Sequence, residues 1–502
     1  MTASFSRFSE PAGRALVVAL EAPDAPEHLP DAVRGPLARA LAVEAECGRF
    51  DARKGEHVSV VLPEGGPWRR VIAAGVRGLE TEAPVLRAEM TGGLCAAAAA
   101  AAGESAVDVH APRPDGAEPP EAGWAAHVGL GARLRSYRFD RWRTGAKPGG
   151  PARVETVNVL TEAAGEAAAA FPRLEALCEA TALARDLTNE PANALNPDTF
   201  ADHLGLLDAL GVEMTTIDAD ALADRGLDAI LAVGRASPHR PRLLVMRWRG
   251  RTQARPDLAV VGKGITYDTG GLCLKPVEQM KTMKTDMAGA AAVCGLMAAA
   301  AGAGLETDLV GVAAIADNAL GGAAYRPGDV IRTAAGPTIE ITNTDAEGRL
   351  ALLDALWWVR GELDPKEIFS IGTLGGSGLF GLGLRHAPVY SEDGDLEARL
   401  VAAGAAAGEP LWPLPSYEEM DDTLEDSAIA DFTQCPDFFV HGADSAYVHR
   451  LLRRYVDGAP YAHIEMCRLD SAIADRPTCP KGATGYGVRL FFEYLTGPGA
   501  PA

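Results

Sequence analysis

The sequence predicts an α/β protein of two domains: a smaller N-terminal α/β domain, residues 1–168, and a larger C-terminal domain, 169–502, with a mainly parallel central sheet flanked by helices. Three observations carry this expectation. A chain of 502 residues is too long for one ordinary hydrophobic core. Short apolar segments alternate with helical stretches, as expected where strands are joined by crossovers. A helical stretch also stops at Asn189-Glu190-Pro191, where proline forbids continuation, which suits a linker between domains.

Taken in order, residues 14–162 alternate apolar segments such as "HVSVVL" (57–62) and "VETVNVL" (154–160) with Ala-rich helices. The run "LCAAAAAAAG" (94–103) is explained by helix propensity and needs no functional reading. "TGAKPGGPARVE" (144–155) reads as a surface loop. The linker helix is expected from about Phe171, in "FPRLEALCEATALARDLTNEPANAL" (171–195). Beyond it, "RLLVMRW" (242–248), "DLAVVGK" (257–263), "TDLVGVAAIAD" (307–317) and "EIFSIGTL" (367–374) alternate with helical stretches at 286–303 and 349–362, the signature of crossover-connected parallel strands. The uncharged run 287–305 reaches membrane-spanning length, but it is mostly Ala and Gly and begins beside Lys284 and Asp286, so it reads as a buried helix of a soluble domain.

Lys plus Arg total 47 against 68 Asp plus Glu, a formal net charge of -21. Such a chain repels nucleic acid and anionic membranes, and neither is expected as a partner. The eight cysteines are scattered, with no C-x-x-C pair, which fits reduced thiols. The first residues, "MTASFSRFSEPAGR", hold no apolar signal segment, so a cytoplasmic location is expected.

The chemistry gathers where ligands of parallel sheets bind, outside the carboxyl ends of the strands. "VVGKGITYDTGGLCLKP" (260–276) places Lys263, Asp268 and Lys275 among glycines. It is not a phosphate-binding loop, because G-x-x-x-x-G-K-[ST] requires the lysine after the glycines. Asp286 stands near the start of the Ala-rich helix, where a lone Asp usually serves as a cap. In "ITNTDAEGRL" (341–350), Asp345, Glu347 and Arg349 alternate, and on an extended strand end all three would project from one side. Asp268, Asp286, Asp345 and Glu347 should thus meet at one sheet edge, where four uncompensated carboxylates would repel. Two divalent cations would balance them, as in two-metal sites. With no histidine in these blocks the donors are mostly oxygen, which suits Mn or Mg and tolerates Zn.

On these residues the sequence resembles the leucyl aminopeptidase family, the cytosolic two-metal M17 peptidases. "NTDAEGRL" matches that family's signature without change. "ARDLTNEPANALNP", "VGKGITYDTGGLCLKP", "MKTDMAGAAAV", "AYRPGDV" and "KGATGYGVRL" follow in family order, and "SYRFDRW" (136–142) extends a weaker likeness upstream. The resemblance implies that residues 169–502 are the catalytic domain. It makes Asp268 and Glu347 bridging carboxylates, with Asp345 completing one metal site and Lys263 and Asp286 the other. Lys275 and Arg349 become the catalytic positions. The implied reaction removes the N-terminal residue from peptides with a free α-amine. A metal-bridging water attacks, Lys275 stabilises the tetrahedral oxyanion, and Arg349 holds a bicarbonate that shuttles the proton. A homohexamer is implied as well.

Three segments depart from the family pattern. "IGTLGGSGLFGLG" (371–383) has Gly375 where a threonine is common. "YAHIEMCRLDSA" (461–472) carries Cys467, Arg468 and Asp470 in place of small or neutral residues, and "FFVHGADSAYVHR" (438–450) is equally divergent. Hydrolysis should survive these changes, whereas preference for leucine is not implied. Met283 matches a pocket position, although methionine at such spacing is commonly core. Two other readings compete. "GSGLFG" (376–381) satisfies G-x-G-x-x-G but lacks the acidic residue that should end the next strand of a dinucleotide site. A binding or scaffold paralogue is opposed by the intact ligand positions. His441, His449 and His463 match no zinc spacing and read as core or surface groups.

Overall fold

The computed structural model describes residues 1–11, 15–79, 83–114, 116, 118–145 and 153–497. Of the loop expected at 144–155, residues 146–152 lie outside that set. The chain divides into two compact units, Met1–Cys178 with Ala472–Gly482, and Glu179–Ser471 with Ala483–Ala502.

In the first unit, β1 (Thr2–Ser6), β2 (Ala15–Leu20), β3 (His57–Val61), β4 (Arg70–Gly75), β5 (Ala106–His110) and β6 (Thr156–Leu160) form one sheet in the order β1-β6-β5-β2-β4-β3. Neighbours are parallel except β3, which runs antiparallel to β4 at the edge. The sequence of β2, "ALVVAL", is apolar without alternation because both faces are covered. Leu16 and Val18 pack with Val33, Leu37 and Leu41 of the helix Asp31–Glu46. Ala15 and Val17 face the helices Pro84–Ala101 and Glu121–Arg135.

The second unit holds β7 (Glu213–Ile217), β8 (Arg242–Arg249), β9 (Leu258–Asp268), β10 (Asp308–Asn318), β11 (Val330–Arg332), β12 (Thr338–Glu340), β13 (Glu367–Gly372), β14 (Ala387–Ser391), β15 (Leu411–Pro413), β16 (Phe432–Thr433) and β17 (Tyr461–Glu465). Eight of these build the order β15-β14-β17-β13-β9-β10-β8-β7, and β11-β12-β16 form a small separate sheet. The centre, β17-β13-β9-β10, is parallel, as the alternation predicts. The segment 242–248 is a correction: it lies in β8, which runs antiparallel to β10 and to β7. The connection 250–257 is shorter than the dozen or more residues that a parallel crossover needs.

Between β9 and β10 runs the helix Ala288–Gly302, buried along almost its whole length. Among the described residues no helix is long and apolar enough to cross a membrane. The helix expected from Phe171 begins earlier and spans Ala164–Asn189, through Pro172. Its alanine-rich first turns are strong helix formers, and it ends two residues short of Pro191. The GSGLFG segment forms only the six-residue helix Ser377–Leu382. All eight cysteines are free thiols.

Candidate active site

Strands β9 and β10 end together, with Asp268 in register with Asn318. Asn318 Nδ2 donates to Asp268 Oδ1 at 2.7 Å and to the Thr344 carbonyl at 3.0 Å, tying the strand end to the loop that carries Asp345. After Asp268 the chain turns back sharply. Gly270 has φ +83°, and a Cβ there would meet Asp345 Oδ1 at 2.7 Å, so only glycine fits. The Lys275 amide then bonds the Thr269 carbonyl, which returns Lys275 to the strand end. Its Nζ lies 2.9 Å from Asp268 Oδ2 and 2.7 Å from Asp345 Oδ1.

Lys263 occupies the interior of β9 and is buried. Its Nζ stands 2.9 Å from Asp286 Oδ2, 2.8 Å from Glu347 Oε1 and 2.6 Å from the Thr373 carbonyl. Asp286 follows the short 3-10 turn Met283–Thr285 and accepts the Thr373 hydroxyl at 2.6 Å.

The segment 341–350 corrects the sequence expectation. It is not an extended strand end: β12 stops at Glu340, Asp345 lies in a turn, and Glu347 opens the helix Glu347–Leu363. The Asn343 side chain accepts the Asp345 amide at 2.9 Å, an Asx turn that breaks the strand. On a helix, residues two apart diverge by roughly 200°. Arg349 accordingly shares no ion pair with the other six predicted residues among those described. It is buried and donates Nη1 to the Gln434 carbonyl at 3.2 Å. The structure thus joins Lys263, Asp268, Lys275, Asp286, Asp345 and Glu347 in one network and holds Arg349 separately on Gln434.

The electrostatics of this network are those of a crowded carboxylate cluster. Burial, then Glu347, pushes the Asp268 carboxyl up to about 6. Burial likewise raises Asp286 and Asp345 above the usual carboxylate range. For Glu347 burial acts in the same direction, but Lys263 and Lys275 outweigh it and hold the carboxyl low. Both lysines are pulled down by burial and raised further by the acids, so they stay charged. With all four acids ionised, as a cation would hold them, four carboxylates against two ammonium groups leave two negative charges uncompensated within the network. Asp268, Asp286 and Glu347 each offer an oxygen, all within 4.8 Å of one another. Glu347 Oε2 is buried without a hydrogen-bond partner among the described residues. A buried, unpaired carboxylate oxygen in a net-negative cluster is the donor chemistry that hard divalent cations take.

Sequence reasoning missed the supports of this cluster. Asn318 was detectable as the polar residue closing an otherwise apolar strand in register with Asp268. Thr373 binds Lys263 and Asp286 at once, yet a lone threonine carries no signal. Glu465 and Asp444 clamp the loop after Thr373: Glu465 accepts the amides of Leu374 (2.9 Å) and Gly375 (2.7 Å), and Asp444 those of Gly376 (2.8 Å) and Ser377 (2.9 Å). A Cβ on Gly375 would stand 2.9 Å from Ser445 Cβ, so the three divergent segments meet in one packed unit. His463 bonds Ser370 and His449 bonds Ser416, both as buried core groups, while His441 is exposed.

The cytosol aminopeptidase family, catalytic domain, matches residues 182–492. A probable cytosol aminopeptidase of Caulobacter vibrioides is 38% identical over 466 residues, 92% of this chain and 90% of that protein. One from Chelativorans sp. is 38% identical over 446 residues, 88% of each. Among solved structures, the bottromycin maturation enzyme BotP in complex with Mn superposes with a TM-score of 0.83 at 29% identity, covering 96% of this chain and 99% of that one. A mutant of tomato leucine aminopeptidase shares the fold, with a TM-score of 0.83 at 24% identity over 99% of this chain and 96% of that one. The two-unit α/β architecture, the family match across the carboxylate-bearing unit and the relatives along the whole chain agree: this chain belongs to the cytosol aminopeptidase family and is a metal-dependent aminopeptidase.

Proposed function

We propose that Lys263, Asp268, Asp286, Asp345 and Glu347 hold two divalent cations, and that Lys275 and Arg349 are the catalytic groups that assist removal of the N-terminal residue from a peptide. The observation that carries this reading is Glu347 Oε2, buried and without a partner in a cluster two negative charges in excess. Mn or Zn suits the donor set, with Mg a further candidate. The Mn complex of BotP supports the first. When bound, the ions supply Lewis acidity and make water acidic enough to act as a nucleophile.

The chain's own groups supply the rest. Asp268 and Glu347 would be the carboxylates shared between the two ions, as the family resemblance implies, and both offer an oxygen within the same 4.8 Å cluster. Lys263 donates only as a free amine, so it gives up its proton on ligation. Lys275 keeps its charge and leaves Asp268 and Asp345 to donate to the oxygen on which negative charge develops. Arg349 holds a bicarbonate-sized anion for proton transfer. Peptides with a free N-terminus are the substrates. The side chain accepted is set by the packed loops around Gly375, Asp444 and Cys467, and a preference for leucine is not implied. The chain works as a cytoplasmic homohexamer.

The test is a panel of amino-acid p-nitroanilides hydrolysed by metal-stripped protein reloaded with Mn, Zn or Mg. Activity should return with at least one ion, and Lys275→Ala should lower kcat by about 10²–10³-fold with metal content unchanged. A Lys275→Ala enzyme with the wild-type kcat would remove Lys275 from its assigned role.

A further inference from the structure

The first unit carries a pocket of its own. At the carboxyl ends of β1, β6 and β5, where parallel sheets bind ligands, a cavity of about 500 Å³ opens. That volume is ordinary for a small-molecule site. Phe8 reaches it from the chain after β1, His110 ends β5, and Glu162 follows β6. Glu121, with the buried Trp124, comes from the first turn of the helix Glu121–Arg135.

Beneath it lies polar structure that the peptidase centre does not use. Asp108, two residues before His110 on β5, is fully buried and accepts Trp68 Nε1 at 2.7 Å and Asn158 Nδ2 at 2.7 Å. Asn158 also donates to Ser6 Oγ at 2.8 Å, linking β5, β6 and the end of β1. Burying such groups is costly, and a fully bonded network of this kind fixes strand ends rigidly.

One wall is aromatic. The Phe8 ring meets His110 edge-on at 5.4 Å and Trp68 at 5.5 Å. His28 and His110 share a hydrogen bond between their Nε2 atoms at 2.6 Å. Burial, then His28, pushes the His110 imidazole down to about 4, so it is neutral at pH 7. Among charged lining groups, Glu121 and Glu162 outnumber Arg113, whose charge faces Glu121. A phosphate would meet net repulsion here, whereas a flat, neutral molecule rich in hydroxyl or amino donors would find stacking surfaces and acceptors together.

We propose that this cavity binds a neutral nucleoside, its base against the Phe8–His110 wall and its hydroxyl groups donating to Glu162, the Glu121 carboxylate being held by the Thr161 hydroxyl and the Glu162 amide. The test is calorimetric titration of the full chain with adenosine, guanosine, cytidine and uridine, and with their 5′-monophosphates. At least one nucleoside should bind saturably and its monophosphate about tenfold more weakly. His28→Ala and Glu162→Gln, both at exposed side chains, should each raise Kd about tenfold or more while p-nitroanilide hydrolysis and the melting temperature stay at wild-type values. Phe8→Ala provides a third arm on the aromatic wall. Failure of all four nucleosides to bind saturably would overturn the proposal. So would monophosphates binding as tightly as nucleosides, or folded variants titrating like the wild type.

Discussion

Gly348→Ala sets two physical effects against each other beside Lys263. Gly348 is the second residue of the helix Glu347–Leu363, where exchange for alanine alone would favour folding by up to about 1 kcal/mol. The added Cβ, however, would sit 2.5 Å from Lys263 Cε, 2.6 Å from its Cδ and 2.8 Å from Leu374 Cδ2. The end of Lys263 cannot swing aside freely, because Asp286, Glu347 and the Thr373 carbonyl hold its Nζ. Overpacking of this kind costs about 1–3 kcal/mol. Global stability should therefore change little, while the displacement falls on Lys263, the lysine proposed to donate to a metal. At 1.4 kcal/mol per decade, the affinity of the Lys263 site should drop about 5–150-fold. Metal titration by calorimetry, beside thermal melting of the metal-free protein, separates the two effects. A variant that melts higher and binds both ions as tightly as the wild type would refute the packing of Lys263 against this helix.

Two further perturbations probe the surroundings. Glu465→Gln leaves an amide group facing the Leu374, Gly375 or Cys467 amide. It should cost about 1–3 kcal/mol in urea unfolding and increase hydrogen exchange in the peptide spanning 374–377; unchanged exchange would show that the loop does not depend on this carboxylate. Asp354 is buried in the same helix and accepts the Ile230 amide at 2.9 Å, and burial pushes its carboxyl up to about 7. Since the folded protein holds this proton more tightly than the unfolded chain, the group's contribution is fully present below about pH 4 and is lost as pH rises towards 7. Asp354→Asn should keep the hydrogen bond and flatten that part of the stability–pH curve. An unaltered slope between pH 4 and 7 would contradict the assignment.

Much of the candidate site was legible because its residues sit in ordered motifs on and just after the central strands and at helix starts, and the parallel core of β9, β10 and β13 follows from apolar runs separated by helices. The errors came where a local interaction overrode a pattern. Asp345, Glu347 and Arg349 alternate as a strand would, but Asn343 caps a turn and the apolar residues from Leu350 onward continue at helical spacing, so the helix starts at Glu347. The segment 242–248 reads like its parallel neighbours because edge and central strands can carry similar apolar runs. Only the shortness of 250–257 betrays its direction. Thr373, Glu465 and Asp444 were invisible as a group, since their shared loop exists only after β13 and β17 pair.

Glu347, whose Oε1 lies 2.8 Å from Lys263 Nζ, is proposed as a metal ligand and not merely as the buried partner of that lysine. The most direct measurement is the number of divalent ions per chain, by mass spectrometry of metal-loaded protein, for the wild type and Glu347→Ala, with p-nitroanilide hydrolysis on the same samples. If Glu347 ligates metal, the wild type should hold two ions and hydrolyse, and the variant should hold fewer than two ions with hydrolysis lost. A variant that keeps both ions and the wild-type rate would contradict it.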